Sequence, residues 1–97
     1  MATDKQILLD VLQSAKELIS RQGNDFSWSG WDNAAEALAE IQGIEEQIAN
    51  NDFSCLRTVN VLFLPTGPMQ ELSISSGWAD EFLGLAERFD EVIQRLM

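Results

Sequence analysis

The stretch that decides the fold class is TVNVLFL at residues 58–64, followed by PTGP at 65–68 and QELSIS at 70–75. The first segment is rich in β-branched and aromatic residues, the second in turn-forming proline and glycine, and the third alternates polar with apolar residues. This pattern predicts an antiparallel β-hairpin over residues 58–75.

The predicted first strand carries apolar side chains on both of its faces, because Val61, Leu62, Phe63 and Leu64 follow one another without a polar residue. Such a strand is expected where both faces are covered. A hairpin alone is only marginally stable in water. We therefore expect helices, or a second copy of the chain, to pack against it.

The first predicted helix spans about residues 4–22. Thr3 with Gln6 three places later fits a capping box at its start, and Gly23 followed by Asn24 fits a left-handed stop. Apolar residues recur at helical spacings and form one broad stripe: Ile7, Leu8, Val11, Leu12, Ala15, Leu18 and Ile19.

Two further amphipathic helices are predicted. One runs from Ala34 to about Asn50 and is interrupted by Gly43, which indicates either a bend or the close approach of another backbone. The other begins after Ser75 or Ser76, continues to the end of the sequence and carries one apolar stripe: Trp78, Phe82, Leu85, Phe89, Val92, Ile93 and Leu96. The predicted fold is therefore an α+β domain, residues 1–97, in which three helices pack around one hairpin in the order α-α-β-β-α.

Composition restricts the chemistry. The 97 residues are enough for one hydrophobic core. No apolar run is long enough to cross a bilayer, and the N-terminus lacks the layout of a signal peptide, so the expected location is the cytoplasm. Histidine is absent and Cys55 is the single cysteine, so a zinc, haem or iron–sulfur ligand set is not expected.

Charge is the most unusual property of the sequence. Sixteen acidic residues against six basic ones give a formal net charge of −10. Such a surface repels phosphate groups, so we expect neither nucleic acid nor a membrane surface as a partner. A basic protein is the natural complement, although acidity that serves only solubility is the simpler interpretation.

Ser-Gly-Trp occurs twice, as Ser29-Gly30-Trp31 and Ser76-Gly77-Trp78, and each copy is predicted to open a helix. In a functional interpretation, the tryptophans form one aromatic platform beside two helix N-termini. In a structural interpretation, which we favour, each serine caps a helix and each tryptophan packs onto the core. The candidate binding residues are three tryptophans and the hairpin tip: Trp28, Trp31, Trp78, Thr66 and Gly67.

Carboxylates converging from different helices could bind Mg²⁺ for phosphate chemistry. The candidates are Glu36, Glu40, Glu45, Glu46, Glu87, Asp90 and Glu91. On a helical projection most of them point away from the core stripes. Only Glu45 projects near a stripe, with Arg57 as a conceivable partner, so we expect no metal site.

Nucleophilic catalysis lacks a histidine base. Arg57 could lower the pKa of Cys55 slightly, but a lone cysteine beside Leu56 is more often a small core residue. We expect no cofactor and no enzymatic activity.

The sequence thus predicts a non-enzymatic protein–protein interaction module, with a protein partner that could be basic. A homodimer through the hairpin or the last helix is also expected, since Leu83 projects away from the main stripe of that helix. Two alternatives stay open. One is an acidic immunity or inhibitor protein for a basic toxin or nuclease, and the other is a carboxylate- and Mg²⁺-dependent hydrolase of a small phosphorylated substrate.

Overall fold

The computed structural model describes residues 3–27, 29–64 and 67–96. Within these ranges the chain forms five helices and no strand: α1 Asp4–Ile19, α2 Ala34–Ala49, α3 Leu56–Leu62, α4 Pro68–Ser76 and α5 Ala79–Leu96. The architecture of the described chain is all-helical, and the predicted α+β class is wrong.

Helix α1 begins as predicted. The Thr3 side chain accepts a hydrogen bond from the Gln6 backbone N–H at 3.1 Å. The helix ends at Ile19, earlier than expected. Its final carbonyls accept from Asn24, whose Nδ2 lies 3.0 Å from the Leu18 oxygen and 2.8 Å from the Ile19 oxygen. Gly23 has a φ of +86°, the left-handed conformation that glycine favours.

The predicted hairpin at residues 58–75 is replaced by helices α3 and α4. The buried residues of the first segment explain why, since Leu56, Val59, Leu62 and Phe63 recur at spacings of three and one. That spacing buries one face of a helix, and tertiary burial overrides the weaker β-propensity of valine and phenylalanine. The segments on either side of the predicted turn are helices instead of strands, and Pro65 and Thr66 of that turn lie outside the described residues.

Gly67 lies close to the backbone at the end of α3. Its backbone N–H donates to the Leu64 oxygen at 2.9 Å, and it is the N-cap of α4, with Pro68 at the first helical position. A Cβ atom on Gly67 would overlap the Val61 carbonyl oxygen and lie 3.2 Å from the Leu62 oxygen. Glycine is therefore required here because a side chain would not fit. Its backbone conformation is not the reason, since a φ of −84° is open to any residue.

The core is built around α1, which packs against both α2 and α5, while α4 packs against α5. The Phe63 ring at the end of α3 stacks on Phe89 of α5 with centroids 4.3 Å apart, and on Phe82 at 6.1 Å. The last helix begins at Ala79, later than predicted, since Ser75 and Ser76 belong to α4. All residues of its predicted stripe are buried except Leu96, which is half-buried.

Gly43 does not interrupt α2, which is continuous from Ala34 to Ala49. A Cβ atom at Gly43 would meet no other atom within 4 Å, so no backbone approaches it closely. In the described chain no helix combines the length and the apolar character that crossing a bilayer requires.

Candidate functional site

An open cavity of about 680 Å³ lies between α2 and α3, and we call it the α2–α3 groove. Its described lining comes from the loop before α2, from α2 and α3 themselves, and from the start of α4: Ser29, Gly30, Trp31, Glu36, Glu40, Thr58, Val61, Leu62 and Pro68. None of these lining residues is cationic.

The loop before α2 forms one wall of the groove and is held by its own hydrogen bonds. The buried Ser29 hydroxyl donates to the Phe26 carbonyl at 2.9 Å and accepts from the Trp31 backbone N–H at 3.1 Å. Gly30 between them has a φ of +86°. The Trp31 indole, 7% exposed, donates from Nε1 to Glu40 Oε2 at 2.7 Å. The indole is therefore fixed against α2.

Two carboxylates of α2 stand at the rim. Glu36 and Glu40 are both exposed, and they are four residues apart on one helix face. Glu36 Oε2 accepts from the Asp32 backbone N–H at 3.3 Å, while the N-cap side chain of Asn33 accepts from the Glu36 N–H at 2.9 Å. Each carboxylate thus has one oxygen engaged within the fold. No hydrogen bond from a described residue reaches the other oxygen of either group.

The opposite side of the groove is apolar. Helix α3 buries Leu62 but leaves the Val61 side chain 52% exposed, because the two residues lie on different faces of the helix. Thr58, one turn before Leu62, is exposed and adds a hydroxyl. The groove therefore combines an accessible apolar side chain with a fixed pair of negative charges.

The part of the sequence that carries the negative charges of the groove has no basic residue of its own. Between Arg21 and Arg57 the chain carries seven acidic residues and no lysine or arginine. The basic residues elsewhere are largely engaged: Lys16 pairs with Glu45 at 2.6 Å, Arg21 with Glu81 at 2.5 Å, and Arg95 with Asp4 at 2.7 Å. Lys5 donates to the Ala49 carbonyl at 3.0 Å and to Asn51.

The two Ser-Gly-Trp copies do not open helices in the way the sequence indicated. Trp31 precedes α2 by three residues, and the N-cap of that helix is Asn33. In the second copy Gly77, with φ +85°, ends α4, and Trp78 follows it directly before α5. Neither serine caps a helix, but each glycine is left-handed and each described indole is buried.

Trp78 is 3% exposed, and its Nε1 donates to Asn24 Oδ1 at 2.9 Å. It does not line the α2–α3 groove, so of the three predicted binding residues that the structure describes, Trp31, Gly67 and Trp78, only Trp31 lies there. Gly67 is buried in the turn before α4. Trp28 and Thr66 lie outside the described residues.

The predicted magnesium candidates are separated. Glu36 and Glu40 stand at the groove, Glu87 and Glu91 are exposed on α5, and Glu45 is paired with Lys16 instead of Arg57. Among the residues that the structure describes, no three acidic or thiol side chains form a group that could hold a metal ion. Cys55 is buried, and burial raises the pKa of its thiol, which makes it a weaker nucleophile.

Sequence reasoning missed the apolar side of the groove. Val61 and Thr58 belong to the segment that was predicted to be a strand, so no helix face was available on which to place them. The helical spacing from Leu56 to Phe63 and the proline at the start of α4 were the signals that could have revealed it.

Comparisons with protein-family models, curated proteins and solved structures gave no match.

Proposed function

We propose that this chain is a non-enzymatic protein-interaction module whose binding surface is the α2–α3 groove. The observation that carries the proposal is the 52% exposure of Val61 inside a groove whose other wall is the fixed Trp31 loop. A volume of about 680 Å³ is sufficient for several side chains of a partner. The groove is open to solvent along α3, which suits a segment of polypeptide better than an enclosed small molecule.

The charge distribution supports a basic partner. The net charge of −10 would steer a cationic protein toward this surface and raise its association rate.

We also propose the cytoplasm as the compartment. A chain with one cysteine, buried in the core, depends on no intramolecular disulfide, and this fits a reducing environment.

The proposal is tested by capture of partners from native cells with two matched variants. Val61→Gln places a polar side chain in the groove, whereas Ile74→Gln makes the same β-branched-to-polar change on α4, where Ile74 is 58% exposed and does not line the groove. We expect Val61→Gln to lose the specific partner and Ile74→Gln to retain it. Equal recovery by both variants would contradict the proposal.

A more specific form of this function is favoured by the acidic stretch between Arg21 and Arg57. An acidic surface suits an inhibitor or immunity protein that covers a basic toxin or nuclease, and of the seven acidic residues in this stretch only Glu45 is in an ion pair with a described basic residue, Lys16. For this role we expect the association rate constant to fall steeply between low and physiological salt, measured by stopped-flow mixing with the captured partner. A rate independent of salt would contradict the role.

Self-association is a separate proposal. The predicted dimer through the hairpin loses its structural basis, because residues 58–75 contain helices in place of the hairpin. The predicted route through the last helix keeps its basis, since Leu83 of α5 is 53% exposed. Sedimentation equilibrium over a wide concentration range tests it, and a constant monomer mass would contradict it.

A further inference from the structure

We propose that the occupant of the α2–α3 groove is a basic amphipathic segment of a partner protein. An apolar side chain of that segment contacts Val61 and the Trp31 wall, while a lysine or arginine one turn away reaches Glu36 and Glu40. This inference rests on the proposed function, and it adds the chemistry of the partner.

The apolar half of the occupant follows from the lining of the groove. Val61 is 52% exposed although it adjoins the buried Leu62, and Pro68 supplies a further apolar surface at the end of the groove. Contact between this apolar surface and water is unfavourable, so burial of an apolar side chain against it lowers the free energy. A purely polar basic segment would leave Val61 uncovered.

The cationic half follows from the two carboxylates. Residues four apart on a helix are neighbours, and two like charges at that spacing repel each other. No described basic side chain lines the groove or is in an ion pair with Glu36 or Glu40. Hydrogen bonds from the Asp32 N–H and the Trp31 indole fix one oxygen of each carboxylate, which leaves the second oxygen as an acceptor. A cation placed between them relieves the repulsion and needs little rearrangement of the site.

Charge also decides against other occupants. A second copy of this chain brings its own charge of −10, and a symmetric contact between two grooves places the Glu36 and Glu40 pairs against each other. An acidic peptide meets the same repulsion. The basic amphipathic segment is the occupant that matches both the apolar side and the charged rim.

The test uses isothermal titration calorimetry with three synthetic peptides of about 14 residues, a length at which an amphipathic helix can form on a surface. One peptide combines leucine with lysine at helical spacing, the second replaces each lysine by glutamate, and the third replaces each leucine by serine. We expect the leucine–lysine peptide to bind, and the other two peptides to bind at least roughly tenfold more weakly.

Matched variants separate the groove from the overall charge. Glu36→Gln/Glu40→Gln removes two charges four residues apart at the groove, and the glutamine at position 40 keeps an oxygen that can accept from Trp31. Glu87→Gln/Glu91→Gln removes two charges at the same spacing from the exposed face of α5. The groove variant should weaken binding of the leucine–lysine peptide roughly three- to tenfold, and the α5 variant should change it much less. Circular dichroism checks that both variants are folded.

The outcomes distinguish whether the basic occupant is wrong or whether the groove is not a binding surface at all. Equal weakening by the two variants, or equal binding of the leucine–lysine and serine–lysine peptides, would show attraction by overall charge and overturn the inference. Binding of the leucine–glutamate peptide that Val61→Gln abolishes would keep the groove as a binding surface but overturn its basic occupant. Binding of the leucine–lysine peptide that is unaffected by Val61→Gln would count against the groove itself.

Discussion

At the scale of single residues, Asn24 connects three parts of the molecule. Its amide nitrogen donates to the last carbonyls of α1, at Leu18 and Ile19, while its amide oxygen accepts from the Trp78 indole at the start of α5. The sequence predicts the helix stop near Gly23 and Asn24. It does not predict the bond between Asn24 and Trp78, because these residues are 54 positions apart and meet only in the tertiary fold.

Replacing Asn24 by alanine should therefore do more than remove a helix stop. The change leaves the Ile19 carbonyl and a buried indole N–H without this partner, while the Leu18 carbonyl keeps the Arg21 backbone N–H at 3.3 Å, so we expect a loss of about 2–3 kcal/mol in the free energy of unfolding. Urea denaturation of Asn24→Ala, Trp78→Phe and the double variant measures it. The double variant should lose less than the sum of the two single losses, and strict additivity would show that the Asn24–Trp78 bond does not contribute.

The ion pair between Arg21 and Glu81 gives a pH-dependent prediction. The hydrogen bond from Arg21 lowers the pKa of Glu81 below its ordinary value. A carboxyl with a lowered pKa in the folded state contributes stability above its unfolded pKa and loses it as the pH falls through the folded value. The stability difference between wild type and Glu81→Gln should thus be present at neutral pH and vanish in acid. Both side chains are about half exposed, so high salt should also reduce the difference.

Urea denaturation at pH 7 and at pH 3 checks this prediction. An Asp80→Asn variant is the control, because Asp80 is the exposed neighbouring carboxylate and is not in an ion pair among the described residues. A difference between wild type and Glu81→Gln that persists unchanged at pH 3 would contradict the assignment.

At the scale of secondary-structure elements, the sequence predicted the long helices and failed on the short ones. The stripes of α1 and α5 are long enough for their period to be unambiguous. Helix α3 contains only seven residues, and its valines, with Phe63 next to it, resemble a strand when their neighbours are unknown. Packing of Phe63 against Phe89 stabilises the helical conformation, and the local sequence does not reveal this long-range contact.

Two glycines, Gly67 before α4 and Gly43 within α2, are expected to respond in opposite ways to replacement by alanine. Gly67→Ala places a Cβ against the Val61 carbonyl oxygen and should cost about 1–3 kcal/mol of stability. Gly43→Ala adds a Cβ in open space within α2 and should stabilise the fold by about 0.5–1 kcal/mol. Thermal unfolding measures both. Changes of the same sign in the two variants would contradict the described packing.

At the scale of the whole molecule, the net negative charge opposes folding and favours association with a basic partner. A charge of −10 on 97 residues repels itself in the compact state, and salt screens that repulsion. We expect added sodium chloride to raise the melting temperature of the free protein while weakening its binding to a basic peptide. Differential scanning calorimetry and peptide titration at matched salt concentrations test these opposite effects. A binding affinity that rises with salt would contradict the electrostatic part of the account.

The candidate site shows the limit of sequence reasoning at this scale. The sequence suggests Trp31 as a binding residue, and the helical projection places Glu36 and Glu40 off the core stripe of α2, where the structure has both exposed. Their meeting with Val61 depends on how α3 packs beside α2, and that arrangement follows from the buried residues of the complete fold.

Mapping of amide chemical shifts on the isotope-labelled protein, during titration with the leucine–lysine peptide, shows whether the α2–α3 groove is the binding surface. We expect the largest shifts at Gly30, Trp31, Glu40 and Val61, together with a shift of the Trp31 indole N–H. Shifts centred on the exposed face of α5 around Glu87 and Glu91, with the Trp31 indole unchanged, would contradict it.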